Sequence, residues 1–263
     1  MDHFIRLLSN DHGQAAEDRL WPNTPPGCNK YALSKHMKRT TTELILRNIG
    51  WLSGKPPEFQ NEILSKSVPL NLNPGDSAPN MQGNTYDDGI YGLASGAVTV
   101  NCAPPGRRPR LIHAVEIGSW MAVGGMLTPQ MRPMTLQAHK ASRMMYLPMD
   151  EVRRIVKTNP DAPGHFSAIL MTTLDALIHV VCDLQVVEAK TRIAATLERM
   201  ASVSDDLVVP LTQTELAQMA GASRRQVNTS MKDFAQSGWI KTNYRSIELL
   251  DLDAIRKFCG HAR

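Results

Sequence analysis

The longest helical pattern lies in the second half of the chain, where mainly apolar side chains recur at alternating spacings of four and three. Over about three heptads, this spacing places one apolar stripe along a helix, and such a stripe typically packs against a second helix. We therefore predict a dimerisation helix over residues 161–188. The alternative is a helix packed on the β domain of its own chain. The predicted seam consists of Phe166, Leu170, Thr173, Leu177, Val180, Leu184 and Val187.

The pattern from residue 68 to residue 149 is different and is typical of β structure. Turn signals recur about every ten residues, with short strand-like runs between them. Such runs indicate a sandwich or a small barrel, and with the helices they make the chain α+β. The predicted strands are 90–93, 97–100, 111–115, 135–139 and 145–149, and the other predicted helices are 4–20, 42–51, 57–64, 150–157 and 189–201.

Two short helices around a tight turn are predicted over residues 212–232. Thr212 with Glu215, and Ser223 with Gln226, have the spacing of capping boxes, which satisfy free N–H groups at helix starts. Gly221 lies between them, where positive φ permits a sharp turn. We therefore predict a helix-turn-helix. Its inward positions are Leu216, Ala217 and Ala220 on the first helix and Val227, Met231 and Phe234 on the second.

Basic charge is concentrated around this element. Residues 221–245 hold five bases and one acid, a net charge of +4, which equals the formal charge of the whole chain. Residues 238–241 and 246–250 are strand-like and predict a β-hairpin wing. The alternative is an ordinary helical hairpin with a solvated basic face. The polar face of the second helix carries Arg224, Arg225, Asn228, Thr229 and Lys232.

The remaining sequence argues against other classes of protein. The four cysteines lie far apart, which argues against a zinc site or an iron–sulfur cluster, and we predict neither metal nor cofactor. We find no catalytic motif and predict no enzyme. By inspection no apolar run approaches the roughly 20 residues of a membrane span, so we expect a reduced cytoplasmic protein without membrane contact. His113 and His139 are interpreted as hydrogen-bonded or surface histidines rather than haem ligands.

Strand pattern, long helix and winged helix-turn-helix together resemble the Crp/Fnr superfamily of bacterial transcription regulators. The resemblance rests on residues 74–98, 190–197 and 211–240, and it covers about residues 42 to 255. It implies four segments: an N-terminal extension over 1–41, a cyclic-nucleotide-binding-like β-roll over 42–160, the dimerisation helix over 161–188, and a winged helix-turn-helix over 189–263.

The effector pocket departs from the pattern of this family. Ala122 and Val123 stand where cyclic-nucleotide-binding members have Gly-Glu, and Arg132 and Pro133 stand near their Arg-Ser pair. Leu177 occupies a position where the dimer helix would contact the base. Val123 cannot accept a hydrogen bond from a ribose hydroxyl, and Pro133 has no N–H. We therefore expect no binding of cAMP or cGMP in the usual way.

The resemblance also implies how DNA would be contacted. The base-contacting positions correspond to Arg224, Arg225 and Thr229, and an arginine can donate two hydrogen bonds to guanine. Lys232, Lys241, Arg245 and the backbone amides near Thr212 and Ser223 would hold phosphates. The full predicted DNA-binding set is Thr212, Gln213, Ser223, Arg224, Arg225, Gln226, Asn228, Thr229, Lys232, Lys241 and Arg245.

The resulting hypothesis is a homodimeric regulator of bacterial transcription that binds double-stranded DNA at a palindromic operator, with RNA polymerase as a further partner. The alternative is an effector-sensing or partner-binding protein of the same fold that has lost sequence-specific DNA binding.

Overall fold

The computed structural model describes residues 30–78, 89–103, 109–127, 134–202, 207–244 and 246–260. The chain divides into two compact units, residues 1–40 and residues 41–263, and the architecture below is that of the second unit, apart from residues 30–40 of the first helix. The helix predicted over 4–20 and residues Arg132, Pro133 and Arg245 lie outside the described residues.

The described chain begins with helices, as the pattern over 42–64 predicts. They are α1 (Lys30–Asn48), a 3-10 turn (Trp51–Gly54) and α2 (Pro57–Lys66). Gly50 precedes the 3-10 turn at φ 77°, and its backbone lies against that of Gly118, at φ 86°. A Cβ on Gly50 would lie 2.2 Å from the Gly118 carbonyl oxygen, so no side chain fits there.

Two antiparallel sheets follow, in the strand orders β1-β7-β2-β5 and β4-β3-β6. All five strands predicted from the sequence are confirmed, whereas the first and the fifth were not predicted. The elements are β1 (Val68–Leu72), β2 (Gly89–Ser95), β3 (Val98–Cys102), β4 (Arg110–Val115), β5 (Trp120–Met121), α3 (Gly124–Leu127), β6 (Met134–Ala138) and β7 (Ser142–Pro148).

The two sheets share an apolar core. Tyr91, Leu93 and Met144 from the first sheet join Val98 and Leu136 from the second, and each of them is at most 1% exposed. Burial on this scale removes apolar surface from water, which is the main stabilising contribution to folding.

Two helices follow β7 of the first sheet, α4 (Met149–Thr158) and α5 (Ala162–Gln185). Pro163 lies in the first turn of α5, where its missing N–H would have no helical partner in any case. The start of α5 is anchored by Phe166, whose ring stacks on Trp51 with 5.8 Å between centroids. The Trp51 indole N–H in turn donates to the His165 carbonyl oxygen at 2.7 Å.

The length and composition of α5 would allow it to cross a membrane, and it is the one such helix in the described part of the chain. The expectation that no apolar run approaches that length was therefore wrong. It failed because Asp175 is the single acid of α5 before Asp183, so most of the helix is apolar.

A third, small sheet of order β8-β10-β9 completes the C-terminal domain. The predicted wing is confirmed as the hairpin of β9 and β10, while the two-residue strand β8 was not predicted. The elements are α6 (Ala189–Ser202), β8 (Val208–Val209), α7 (Gln213–Met219), α8 (Arg224–Gln236), β9 (Ile240–Asn243), β10 (Ser246–Leu249) and α9 (Leu252–Phe258).

The core of the C-terminal domain includes two residues of β4. Leu111 and Ala114 are each 5% exposed and belong to the same buried cluster as Leu197, Leu216 and Val227. The strand β4 therefore packs against α7 while it pairs with β3.

The contact between Gly50 and Gly118 yields a stability prediction. Gly50→Ala places a methyl group against backbone at positive φ, and we expect a loss of at least about 2 kcal/mol in the free energy of unfolding. Gly54→Ala is the matched control, because a Cβ there meets no atom within 4 Å. Urea unfolding of both variants measures the difference, and equal midpoints would contradict this account of the turn.

Candidate functional site

Both predicted capping boxes are confirmed. The Glu215 amide donates to Thr212 Oγ1 at 3.2 Å, while the Thr212 amide donates to Glu215 Oε2 at 2.7 Å. The Gln226 amide donates to Ser223 Oγ at 3.2 Å, and the Ser223 amide donates to Gln226 Oε1 at 2.8 Å. These bonds fix where α7 and α8 begin, and they occupy side-chain oxygens of four residues, three of which are in the predicted DNA-binding set.

The turn between the two helices is held from outside by Arg192, a residue of α6. Gly221 adopts φ 55°, and Arg192 donates to the carbonyl oxygens of Ala220 at 2.9 Å and Gly221 at 3.0 Å. The same guanidinium donates to the Val186 and Val187 carbonyl oxygens at 2.7 and 2.8 Å. It therefore ties the segment after α5 to the helix-turn-helix, a role that sequence reasoning missed because the partners lie up to 29 residues away.

The predicted inward face of α8 is confirmed. Val227, Met231 and Phe234 are each at most 2% exposed within the C-terminal core. Because a helix presents its opposite face away from the core, the polar set points to solvent. The exposed residues of that face are Arg224, Arg225, Asn228, Thr229 and Lys232.

Two ion pairs modify the charge of this surface. The acid within the basic segment, Asp233, lies 2.7 Å from Lys190 of α6. On the wing, Lys241 lies 3.8 Å from Glu248, with side chains that are 63% and 37% exposed, so solvent screens the pair and it contributes little to stability. Tyr244 at the wing turn is 92% exposed and was not among the predicted contacts.

A further basic residue, Arg110 of β4, lies near the recognition helix. A groove of about 530 Å³ between the start of β4 and the turn of the helix-turn-helix is lined by Arg110, Gln218 and Arg224. No local sequence signal connects residues 110 and 224, which is why Arg110 was not predicted.

The predicted seam of α5 does not lie on one exposed face. Phe166 and Val180 are buried within the chain, so they are unavailable to a second copy. Leu170 and Leu177 are half-buried, and a Cβ on Gly221 would meet the Leu184 side chain at 3.3 Å. Thr173, Leu184 and Val187 are exposed.

A second apolar stripe on α5 faces solvent instead. Met171, Leu174, Ile178 and Val181 are 56%, 48%, 48% and 53% exposed, and they also follow spacings of three and four. Phe166 of the predicted seam is packed on the chain's own β domain, and the dimer contact through α5 stays a prediction. We call Met171, Leu174, Ile178 and Val181 the outer stripe.

A cavity of about 550 Å³ lies between the second sheet, β5 and α5. Its buried walls are apolar and include Val115, Trp120 and Leu136. Ala122 also lines it, in a left-handed conformation at φ 67°. Val123, by contrast, is 2% exposed in the neighbouring hydrophobic cluster. Leu177, expected both in the seam and near an effector, lines the cavity.

His113 connects this cavity to the C-terminal domain. It lines the cavity, and burial together with the nearby charge of Arg199 lowers its pKa from 6.5 to about 4. Arg199 of α6 is ion-paired with Asp183 near the end of α5, and burial lowers the pKa of this guanidinium. The other histidine considered, His139, is confirmed as hydrogen-bonded: its Nε2 lies 2.9 Å from Thr99 Oγ1.

A capped turn, an exposed basic helix and a wing define the DNA-binding domain of a winged helix-turn-helix transcription regulator. Residues 191–258 match the family model described as the Crp-like helix-turn-helix domain. The C-terminal part of the chain is therefore similar to the helix-turn-helix domain of Crp-like regulators.

Relatives with assigned functions agree with this class. The CRP-like cAMP-activated global transcriptional regulator of Mycobacterium tuberculosis is 24% identical over 224 residues, which cover 81% of this chain and 97% of the relative. The cAMP-activated global transcriptional regulator CRP of Pasteurella multocida is 24% identical over 165 residues, covering 60% of this chain and 79% of the relative.

Solved structures show the same fold. A transcriptional regulator of the CRP family from Thermus thermophilus superposes with a TM-score of 0.59 at 21% identity, covering 73% of this chain and 96% of that one. FixK2 from Bradyrhizobium japonicum superposes with a TM-score of 0.61 at 13% identity, covering 75% and 99%.

The buried state of His113 predicts a pH dependence of stability. Between pH 6.5 and about 4 the unfolded chain binds a proton at this residue that the folded protein excludes, so the free energy of unfolding falls as the pH is lowered. The loss attributable to His113 approaches roughly 3 kcal/mol at the acid end. Denaturant unfolding from pH 4.5 to 8 should show a shallower pH dependence for His113→Gln than for the natural chain. The exposed His179→Gln serves as the control, and parallel curves for His113→Gln and the natural chain would refute the assignment.

Proposed function

We propose that this protein is a sequence-specific transcription regulator that binds double-stranded DNA as a homodimer at a palindromic operator. The observation that carries the proposal is the exposed polar face of α8, which the two capping boxes and Arg192 hold in place. A rigid helix of this kind fits the major groove of B-DNA. RNA polymerase is the further partner that the similarity to Crp-like transcription regulators suggests, and the cytoplasm is the corresponding location.

The residues of α8 and the wing suggest which side chains would contact DNA bases and which would contact the DNA backbone. Arg224 and Arg225 lie in the first turn, where side chains of a recognition helix reach base edges, and either can donate two hydrogen bonds to guanine O6 and N7. Thr229 accepts or donates one hydrogen bond with less selectivity. Lys232 and Lys241 suit phosphates, since the weak pairing of Lys241 with Glu248 leaves its ammonium able to exchange partners.

The outer stripe of α5 supports the dimer. Four large apolar side chains at alternating spacings of three and four are typical of a helix that packs against another helix. In a two-fold interface, the outer stripe of one copy would pack against the outer stripe of the other, and both would be buried. Such symmetry matches a palindrome, because the two recognition helices then face equivalent half-sites. The same pairing accounts for the apolar length of α5 without a membrane.

Control by cAMP in the usual way is not part of the proposal. Val123 is buried in a hydrophobic cluster, so the position where an acceptor for the ribose would be expected carries an apolar side chain. The relatives of M. tuberculosis and P. multocida are cAMP-activated. By the resemblance stated above, Arg132 matches the arginine of cyclic-nucleotide-binding members, whereas Val123, Pro133 and Leu177 depart from their pattern.

The second candidate is a sensor that has lost DNA binding, and the cavity of about 550 Å³ favours it because pockets of this size commonly hold small ligands. A mobility-shift assay with fragments of the source genome separates the two candidates. Retarded fragments that resist non-specific competitor support the regulator, and uniform weak retardation of all DNA supports the sensor.

The outer stripe yields a prediction about assembly. Ile178→Asp should convert the dimer into a monomer, because two unpaired carboxylates would be buried in the interface at a cost of several kcal/mol. Thr173→Asp is the matched control: the same charge is added to an exposed position on another face of α5, and the dimer should persist. Sedimentation velocity measures both variants. If Ile178→Asp stays dimeric while Thr173→Asp becomes monomeric, the outer stripe is not the interface and the seam predicted from the sequence is supported instead.

Arg224 and Lys241 yield a prediction about DNA contacts. Arg224→Ala should cost roughly 1–3 kcal/mol per half-site on the operator and relax the preference at one base pair. Lys241→Ala should weaken all sequences alike and lower the slope of log affinity against log salt by about one per contact. Salt titrations on the operator and on scrambled DNA distinguish the two effects. If Arg224→Ala weakens both DNAs equally, Arg224 contacts the backbone and not a base.

A further inference from the structure

The groove beside the recognition helix is formed by two domains. One wall is the start of β4, a strand of the β domain, and the other is α7 with the turn that leads into α8. Most of the lining residues are exposed, so the groove is open to solvent. They are Pro109, Arg110, Thr214, Ala217, Gln218, Gly221, Ala222 and Arg224.

Every polar side chain in this groove can donate a hydrogen bond, and two of them are cations. Arg110 and Arg224 contribute guanidinium groups, while Gln218 contributes an amide and Thr214 a hydroxyl. No carboxylate is among the lining residues, and within the described part of the chain neither guanidinium forms an ion pair. Two arginines in one groove repel each other, and an anion between them removes that repulsion. The groove therefore favours an anionic partner.

Phosphate suits this set of groups. The planar guanidinium donates two parallel hydrogen bonds to phosphate oxygens, and such charge-assisted bonds are among the strongest in proteins. A phosphodiester has two oxygens that share its charge, so one can accept from Arg110 while the other accepts from Gln218 or Thr214. The volume of about 530 Å³ leaves room for a phosphate on a larger molecule.

Arg110 is held beside the helix-turn-helix by the residue that follows it. Leu111 is 5% exposed and belongs to the core of the C-terminal domain, together with Leu216 and Val227. The strand β4 also contacts α7. Although β4 pairs with β3 of the β domain, the start of this strand is therefore fixed relative to α7 and α8. The side chain of Arg110 accordingly has a defined place next to the surface proposed to meet DNA.

We propose that Arg110 is a DNA contact supplied by the β domain, and that it binds a backbone phosphate together with Gln218 and Thr214. The contact rests on the proposed function because it requires DNA on α8. It extends that function, since every residue of the predicted DNA-binding set lies between positions 212 and 245.

The position of Arg224 explains why a DNA phosphate would reach this groove. Arg224 is the first residue of α8, and it lines the groove while its helix presents its polar face to solvent. A recognition helix in the major groove lies between the phosphates of the two strands, and contacts to these phosphates set its register. Arg110 would thus hold the backbone beside the base pair that Arg224 contacts, without reading a base itself.

The first experiment is a salt titration of Arg110→Ala on the operator and on scrambled DNA. Both DNAs should be bound roughly fivefold or more weakly at 0.1 M salt, and the slope of log affinity against log salt should fall by about one per protomer. Arg110→Lys should retain most of the slope, because a cation remains. Thermal unfolding establishes that the variants fold, as expected for an exposed side chain.

Arg143→Ala is the matched control. Arg143 is an exposed arginine on β7 of the first sheet, which contributes nothing to the groove, so its removal lowers the net charge by the same amount. Its salt slope should equal that of the natural chain. Equal slopes for Arg110→Ala and Arg143→Ala would overturn the contact, since only the overall charge would then matter.

The second experiment locates the phosphate. In a set of synthetic operators, one backbone phosphate at a time is replaced by an uncharged methylphosphonate. The natural chain should lose affinity at one position in each half-site where Arg110→Ala loses none, because that variant has already lost the contact. Identical profiles for the two proteins would contradict the assignment.

A free phosphate ion has the same chemistry, and a third measurement distinguishes this source. Thermal unfolding is compared in inorganic phosphate and in chloride at equal ionic strength. If phosphate raises the midpoint of the natural chain but not of Arg110→Ala, while the DNA salt slopes of the two proteins coincide, the groove holds a free anion and the DNA contact is refuted.

The outcomes separate the contact from the proposed function. If no fragment is bound specifically but Arg110→Ala still lowers the salt slope on all DNA, sequence-specific regulation fails and the phosphate contact stands. If the operator is bound specifically and Arg110→Ala behaves like Arg143→Ala, the contact is refuted and the regulator is retained.

Discussion

The strand β4 is shared by two hydrophobic cores, and the relation between the sensor-like domain and the DNA-binding domain depends on this sharing. Leu111 and Ala114 are each 5% exposed, which is possible only while the C-terminal domain covers them. Exposing apolar surface to water costs roughly 25 cal/mol per Å². Separation of the two domains would expose the apolar side chains of β4 and is therefore unfavourable. The DNA-binding domain is therefore held by the wall of the cavity and not by a linker alone.

Two arginines of α6 reinforce this arrangement by different means. Arg199 is paired with Asp183 in a buried setting, where removing either partner leaves an uncompensated charge. Arg192 donates four hydrogen bonds to carbonyl oxygens, two after the end of α5 and two at the turn of the helix-turn-helix. A neutral side chain could replace neither the ion pair of Arg199 nor the four hydrogen bonds of Arg192. The orientation of α8 is thus determined by contacts that begin in α5 and pass through α6.

Local signals explain which parts of the structure could be predicted from the sequence. The capping boxes at Thr212 and Ser223 and the hairpin of β9 and β10 depend on residues a few positions apart. The face of α5 could not be assigned, because two interleaved apolar stripes have the same spacing, and only packing against the chain's own β domain distinguishes Phe166 from Ile178. The effect of Arg199 on the pKa of His113 spans sequence-distant elements and has no local signature.

The cavity lies between two elements that each have a second face. The inward side of β4 contacts the cavity and its outward side carries the DNA-binding domain. Likewise, α5 presents Ala176 and Leu177 to the cavity, while Ile178 and Val181 of the outer stripe face solvent. In a dimer formed through that stripe, the outward side of β4 would determine where α8 lies on its own protomer. The outer stripe of α5 would determine the distance to the α8 of the partner, and these two quantities together fix the spacing of the half-sites.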